Sequence, residues 1–201
     1  MKTPDASRIS PLDALLAAAK DVYFNTPALV DFAPWPTDVE KSDLGYRSFL
    51  GETLITVFSE TGTPKTDPVT RAIKAASNDA FWTQTYTVEE VGRDFLNRYG
   101  YFELLGPTGH FQTEELRGYV GFWGEGLDYG WHNHEAEEIY YCLAGEGLFK
   151  AEGEADLSLT AGQTKYHSAF QKHAMSTTDQ PFLCLAFWRG KGMSDLPRMT
   201  P

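Results

Sequence analysis

No stretch of this sequence approaches the roughly 18 consecutive apolar residues that a membrane-spanning helix needs, so the 201-residue chain reads as soluble. Its first residues, Met1-Lys2-Thr3-Pro4-Asp5, lack a basic stretch followed by an apolar one, so no secretory signal is visible. Positive charge is scarce too. Seventeen Lys and Arg against 28 Asp and Glu leave a formal charge of −11, which argues against nucleic acid and anionic membrane surfaces as partners. Cysteine is nearly absent: Cys142 and Cys184 both sit in apolar, strand-like runs. They read as buried free thiols of a reducing compartment rather than a disulfide framework, and a cytoplasmic location is expected. No internal repeat or low-complexity tract is apparent.

Aromatic residues, by contrast, are plentiful. Thirteen Phe, 10 Tyr and 5 Trp make up 14% of the chain, enough rings for a core or for a pocket that holds a cation against π faces. The acid is concentrated: 11 acidic residues lie between Glu114 and Asp156 against Arg117 and Lys150 alone, a local charge of −9. The length suits one domain or a small domain with a long extension. In the first half, Ile9, Leu12, Leu15, Leu16, Ala19 and Val22 follow a 3.6-residue period behind the cap signal Ser10-Pro11. Further helices are expected over 44–59, 68–81 and 88–99, the last opened by the capping-box pair Thr87 and Glu90. The segment 30–38, with Pro34, Trp35 and Pro36, reads as a rigid aromatic loop that plugs the helices. From about Gly106 the pattern changes to short β-branched and aromatic runs between glycine turns, at 117–123, 137–143, 147–151, 156–159, 163–166, 173–177 and 182–188. The expected fold is mainly β with a helical N-terminal extension: residues 1–107 form helices that pack on a β-barrel of residues 108–201.

Four of the five histidines, His132, His134, His167 and His173, lie beyond the connection at the start of the β half. His132, His134, Glu138 and Tyr140 share even parity, so on one extended strand all four would face the same side. Imidazoles, a carboxylate and a phenol converging there suit a divalent transition metal, and His173 from a later strand can close the set. Gly126, His132, His134, Glu138 and Gly145 together read G-x5-H-x-H-x3-E-x6-G. That segment resembles the first motif of the cupin superfamily in full. The spacing of the second cupin motif is met by Gly162, Ser168, Phe170, His173 and Thr177, although only the glycine and histidine keep their identities. The resemblance implies a double-stranded β-helix, a jelly-roll-like barrel with a metal inside.

Tyr140 is not part of the general cupin pattern. Together with Tyr129, Trp188 and a helical extension of this size, it makes the chain similar to the cupin-type lyases of dimethylsulfoniopropionate (DMSP), in particular the DddQ type. The resemblance implies that His134, Glu138, Tyr140 and His173 carry the metal, with His132 beside them, and that Tyr129 or Tyr140 is the base. Tyr129 is preferred, leaving Tyr140 to the metal. Zn, Fe, Mn, Ni and Co all suit the mixed nitrogen and oxygen donors. The implied reaction is a β-elimination of a small sulfonium carboxylate, DMSP, to dimethyl sulfide and acrylate. Trp188 and Tyr129 are candidate walls for the sulfonium, with Trp35 if its loop closes over the barrel mouth, and Tyr141 last because its odd parity points it away from Tyr140. His167 is expected at the surface or supporting the site, and His110 in solvent. A homodimer stays open. The competing readings are a mononuclear iron dioxygenase and a non-catalytic cupin that binds a small molecule.

Overall fold

The computed structural model describes residues 9–58 and 62–200. Residues 1–5, read for a leader, and residue 59 of the expected helix 44–59 lie outside that range. Helix α1 (Pro11–Phe24) starts where the sequence signals it: Ser10 Oγ accepts the Asp13 backbone N–H at 3.2 Å, and proline occupies the first turn. Its buried stripe is Leu15, Ala19, Val22 and Tyr23. Helices α2 (Pro27–Phe32), α3 (Glu52–Val57), α4 (Asp67–Ala76), α5 (Val88–Val91) and α6 (Arg93–Arg98) complete the first half, with a 3₁₀ turn at Ser77–Asp79. Short strand β1 (Glu40–Lys41) lies between α2 and α3.

The expected helix 44–59 forms only over α3, because Arg47 pairs with the segment that follows the 3₁₀ turn: its N–H donates to Ala80 O and its carbonyl accepts from Trp82 N–H. The expected helix 88–99 is broken in two by Gly92, whose φ of +81° no L side chain adopts readily. The cap at its start is present, the Glu90 carboxylate accepting the Thr87 N–H at 2.8 Å.

The strands are β2 (Tyr99–Leu105), β3 (Phe111–Gln112), β4 (Arg117–Trp123), β5 (Asp128–Asn133), β6 (Glu137–Ala151), β7 (Leu157–Thr160), β8 (Thr164–His167), β9 (His173–Ser176), β10 (Phe182–Arg189) and β11 (Arg198–Met199). Strand β2 was not expected: residues 99–105 pair antiparallel with β4, so the sheet begins ahead of Gly106. The two runs expected at 137–143 and 147–151 are one 15-residue strand, β6, which belongs to both faces of the barrel. On one side it joins β10 and β8, extending through β4, β2, β3 and β1; on the other it joins β7 and β9, extending through β5 and β11.

Alternation along these strands separates two cores. Ile139, Tyr141 and Leu143 of β6 face outward with Leu183, Leu185 and Phe187 of β10 and Val120 and Phe122 of β4, and the helical layer packs on them. Tyr23 of α1 meets Phe187 at 5.0 Å and Trp35 at 5.1 Å, ring centroid to centroid, and donates its hydroxyl to Ala33 O at 2.7 Å. Trp35 is therefore a plug in the helical layer and is no wall for a sulfonium. Tyr140 and Cys142 of β6 face inward with Cys184, Ala186 and Trp188 of β10 and Tyr119 and Trp123 of β4. Both cysteines are free and buried. The return at the end of the first motif depends on Gly145, at φ +77°, where a Cβ would come 1.7 Å from Pro181 O.

Candidate metal centre and aromatic cavity

His134, Glu138 and His173 form the cluster the sequence points to. One ligand atom of each lies within 4.8 Å of the others, and all three residues are buried. They do not share a single extended strand. His134 stands in the connection between β5 and β6, Glu138 opens β6, and His173 opens β9. His134 Nδ1 lies 2.8 Å from Ala136 O, and His173 Nδ1 lies 2.9 Å from Gln171 O. A carbonyl only accepts, so each Nδ1 carries the proton and each Nε2 turns its lone pair inward. Both Nε2 atoms face Glu138 Oε2, at 3.1 and 3.3 Å. Burial opposes charge on Glu138; imidazoles carrying protons on Nε2 would hold the carboxyl well below its usual range, and a cation among their lone pairs does the same. With Nε2 unprotonated, two lone pairs meet a carboxylate oxygen in a dry interior, a repulsion that a proton or a metal cation between them relieves. The donor set, two imidazoles and a carboxylate, fits a divalent transition metal, and the buried His173 Nε2 makes no hydrogen bond.

The other carboxylate oxygen is fixed from the opposite wall. Trp188 Nε1 donates to Glu138 Oε1 at 2.7 Å, and the Trp188 ring stacks on His134 with centroids 4.0 Å apart. Strand pairing makes this possible, because Trp188 of β10 is the register partner of Glu138. Tyr140 follows two positions later on the same inward face, where burial, then the Glu138 charge, pushes its hydroxyl well above the usual tyrosine value.

His132 stands beside the cluster. Its Nδ1 lies 2.9 Å from Gly130 O, and its ring centroid is 4.1 Å from that of His173. Burial, then the nearby His173, holds its pKa well below the ordinary histidine value. Tyr129 stacks on it at 4.0 Å. Strict alternation would put these two, three residues apart, on opposite faces. The register shows why both face inward: His132 opposes His173 and Tyr129 opposes Met175, so β5 carries one residue more than β9 between those pairs. This bulge at Gly130-Trp131 turns Tyr129 toward the histidines, while Trp131 remains part-exposed. The Tyr129 hydroxyl meets the Tyr86 hydroxyl at 2.6 Å, and burial drives it well above the usual value.

A cavity opens next to Glu138, with about 50 Å³ of free space. Its walls are Tyr99 and Tyr101 of β2, Tyr119 and Trp123 of β4, Tyr129 and Trp188, with Leu196 and Pro197 above. The segment carrying those last two is tied down by Arg117, which donates to Met193 O and is itself buried against Glu103 at 2.7 Å. Tyr86, Tyr99, Tyr101 and Tyr119 were not singled out from the sequence. The alternation of Tyr99, Tyr101 and Glu103 was the available signal, and assigning that half to helices hid it.

Three side chains are placed more closely than the sequence allows. Tyr141 faces the helical layer, so it is no part of the cavity. His167 is fully buried, stacked on His173 at 4.1 Å with both ring nitrogens unpartnered, and burial lowers its pKa to about 3. Strand β8 pairs with β6 opposite Glu138 and turns it inside. His110, expected in solvent, is buried and accepts the Phe81 N–H at 2.9 Å, because the loop ahead of β3 folds against the helical layer.

Comparison with known proteins points the same way. Residues 52–184 match the family model of the DMSP lyases. The chain is 33% identical over 176 residues, 88% of each protein, to dimethylsulfoniopropionate lyase DddQ of Ruegeria pomeroyi. It superposes on a chain from the crystal structures of the DMSP lyases RdDddP and RnDddQII with a TM-score of 0.93 and 43% identity, covering 95% of this chain and 98% of that one. The crystal structure of DddQ from Ruegeria pomeroyi gives 0.90 and 32%, covering 94% and 96%. A mainly β barrel layered with helices on one face and built around a buried histidine–glutamate cluster, the chain belongs to the DMSP lyase family.

Proposed function

We propose that this protein cleaves DMSP to dimethyl sulfide and acrylate at the cavity beside Glu138. The observation that carries the reading is the juxtaposition itself: a cation-seeking His134–Glu138–His173 cluster at the end of an aromatic-walled cavity. His134, Glu138 and His173 would hold one divalent metal, with Tyr140 as the fourth protein ligand; Zn, Fe, Mn, Ni and Co are all compatible. When bound, such a metal offsets the negative charge that develops on the substrate carboxylate as the neighbouring carbon loses its proton.

Every other requirement falls to the chain. The sulfonium is a soft cation without hydrogen-bond donors, and the faces of Tyr99, Tyr101, Tyr119 and Trp188 offer cation–π contact worth about 0.5–2 kcal/mol. Tyr129, as phenolate, takes the proton from the carbon next to the carboxylate. The carbon left behind forms the double bond of acrylate while the C–S bonding pair departs on sulfur, giving neutral dimethyl sulfide. Burial among rings keeps the Tyr129 oxygen protonated in the metal-free protein, so a nearby positive charge is needed to poise it as a base. Trp188 holds the Glu138 carboxylate in place, and His132 packs between Tyr129 and His173.

The experiment is an anaerobic headspace assay of purified protein with DMSP. Dimethyl sulfide and acrylate in equal amounts without oxygen support the lyase and exclude a dioxygenase. Product from the Tyr129→Phe variant at the normal rate, with normal metal content, removes Tyr129 as the base.

A further inference from the structure

Tyr86 lies between the 3₁₀ turn and α5, outside the barrel strands and outside both cupin motifs. Its ring centroid is 5.7 Å from that of Tyr129, and the two hydroxyls are 2.6 Å apart. Around Tyr129 stand the rings of Phe95, Tyr99, Trp123 and His132. Among the described residues, the hydroxyl of Tyr86 is the one hydrogen-bond partner of the Tyr129 hydroxyl. We propose that Tyr86 is a positioning residue for the elimination, donating its O–H to the Tyr129 oxygen while that oxygen is anionic and passing the substrate-derived proton out of the barrel. This rests on Tyr129 being the base.

The surroundings favour such a role. Tyr99 and Tyr101 of β2, Glu138 and Tyr140 of β6, and Glu90 of α5 disfavour a negative charge on the pair, and a charge on Tyr86 disfavours one on Tyr129, so the contact assists the Tyr129 anion only with Tyr86 protonated and donating. His132 lies face-on to Tyr129 and turns its Nδ1 to Gly130 O, away from the Tyr129 hydroxyl's partner. Among the described residues, the phenolate is offered one donor, Tyr86. A hydrogen bond to the ionised form favours that form. Tyr86 is followed directly by the exposed first turn of α5. After the elimination, Tyr129 O–H gives its proton to the Tyr86 oxygen as Tyr86 releases its own to water. One proton per turnover leaves, and Tyr129 is again anionic.

The test is the pH dependence of kcat and KM for DMSP with the metal-loaded Tyr86→Phe enzyme. Without the donor, the Tyr129 anion is harder to form. The expected result is a KM within about twofold, a kcat lower by about tenfold or more, and a rising limb of kcat displaced by about one pH unit to higher pH, with metal content unchanged. Incorporation of 3-fluorotyrosine at position 86 keeps the shape, strengthens the donor and moves the limb to lower pH; it decides the matter if the phenylalanine variant does not fold. An unmoved limb and unchanged kcat in Tyr86→Phe, alongside an inactive Tyr129→Phe, overturn the role of Tyr86 and leave Tyr129 as the base. A fully active Tyr129→Phe overturns both.

Discussion

Replacing Trp188 by Phe removes one hydrogen bond from the centre while leaving most of its packing. The Trp188 Nε1–H donates to Glu138 Oε1 at 2.7 Å in a buried setting, while the ring stacks on His134 at 4.0 Å and meets Tyr119 edge-on at 5.5 Å. Phenylalanine keeps a ring there and lacks the donor. A hydrogen bond to a charged acceptor contributes about 1.5–3 kcal/mol, and a buried carboxylate left without its partner bears the full desolvation cost. Because Oε1 is then free to rotate, Oε2 loses its fixed aim at the two imidazoles. Metal affinity is expected to fall by about 10- to 100-fold, the range for losing a group that orients a metal ligand. Chelator competition measures it. A cycle with Glu138→Gln, read by urea unfolding of the metal-free protein, isolates the pair: a coupling of about 1.5–3 kcal/mol is expected. If the two changes add within about 0.5 kcal/mol and Trp188→Phe binds metal as tightly as the parent, the reasoning is refuted.

Gly145→Ala places a Cβ 1.7 Å from the Pro181 carbonyl oxygen at φ +77°, so it should destabilise by more than about 2 kcal/mol; a urea midpoint within error of the parent contradicts this. His167 is buried neutral, with its folded pKa near 3 against 6.5 for the free side chain. The unfolded chain therefore binds the extra proton first, and this group's contribution is complete above pH 6.5 and declines as pH falls toward 3. In the metal-free protein the associated slope is up to about 1.4 kcal/mol per pH unit, and His167→Phe should reduce it; identical pH–stability curves would show that His167 does not titrate this way. Glu138→Ala should lose both bound metal and dimethyl sulfide release, and retention of either in full speaks against its role.

The ligand cluster was legible because a turn-and-strand spacing is written into the chain: glycines at 126 and 145 bracket two histidines and a glutamate, and β6 and β10 alternate strictly enough to send Tyr140 inward and Tyr141 outward. What the spacing cannot carry is a change of register. The bulge at Gly130-Trp131 leaves no mark in the hydropathy pattern, yet it alone brings Tyr129 to the same face as His132. Nor could parity place His134, which sits in a connection rather than on a strand. The cavity wall was hidden for another reason. Tyr99 and Tyr101 lie directly behind a helical stretch, and the 3.6-residue period of that stretch masks the two-residue period that follows. His110 proved buried, and the sequence left His167 open between the surface and a place supporting the site, because burial of a polar side chain is decided by tertiary packing, which local sequence does not report.

The central claim is that the His134–Glu138–His173 cluster holds the single metal on which DMSP cleavage depends. Metal-free protein titrated with one divalent ion, with dimethyl sulfide release recorded at each addition, tests it directly. The account predicts no release without metal, a linear rise, and a break at one equivalent per chain that is absent in His134→Ala. Full release from the metal-free protein, or an unaltered titration in His134→Ala, would contradict it.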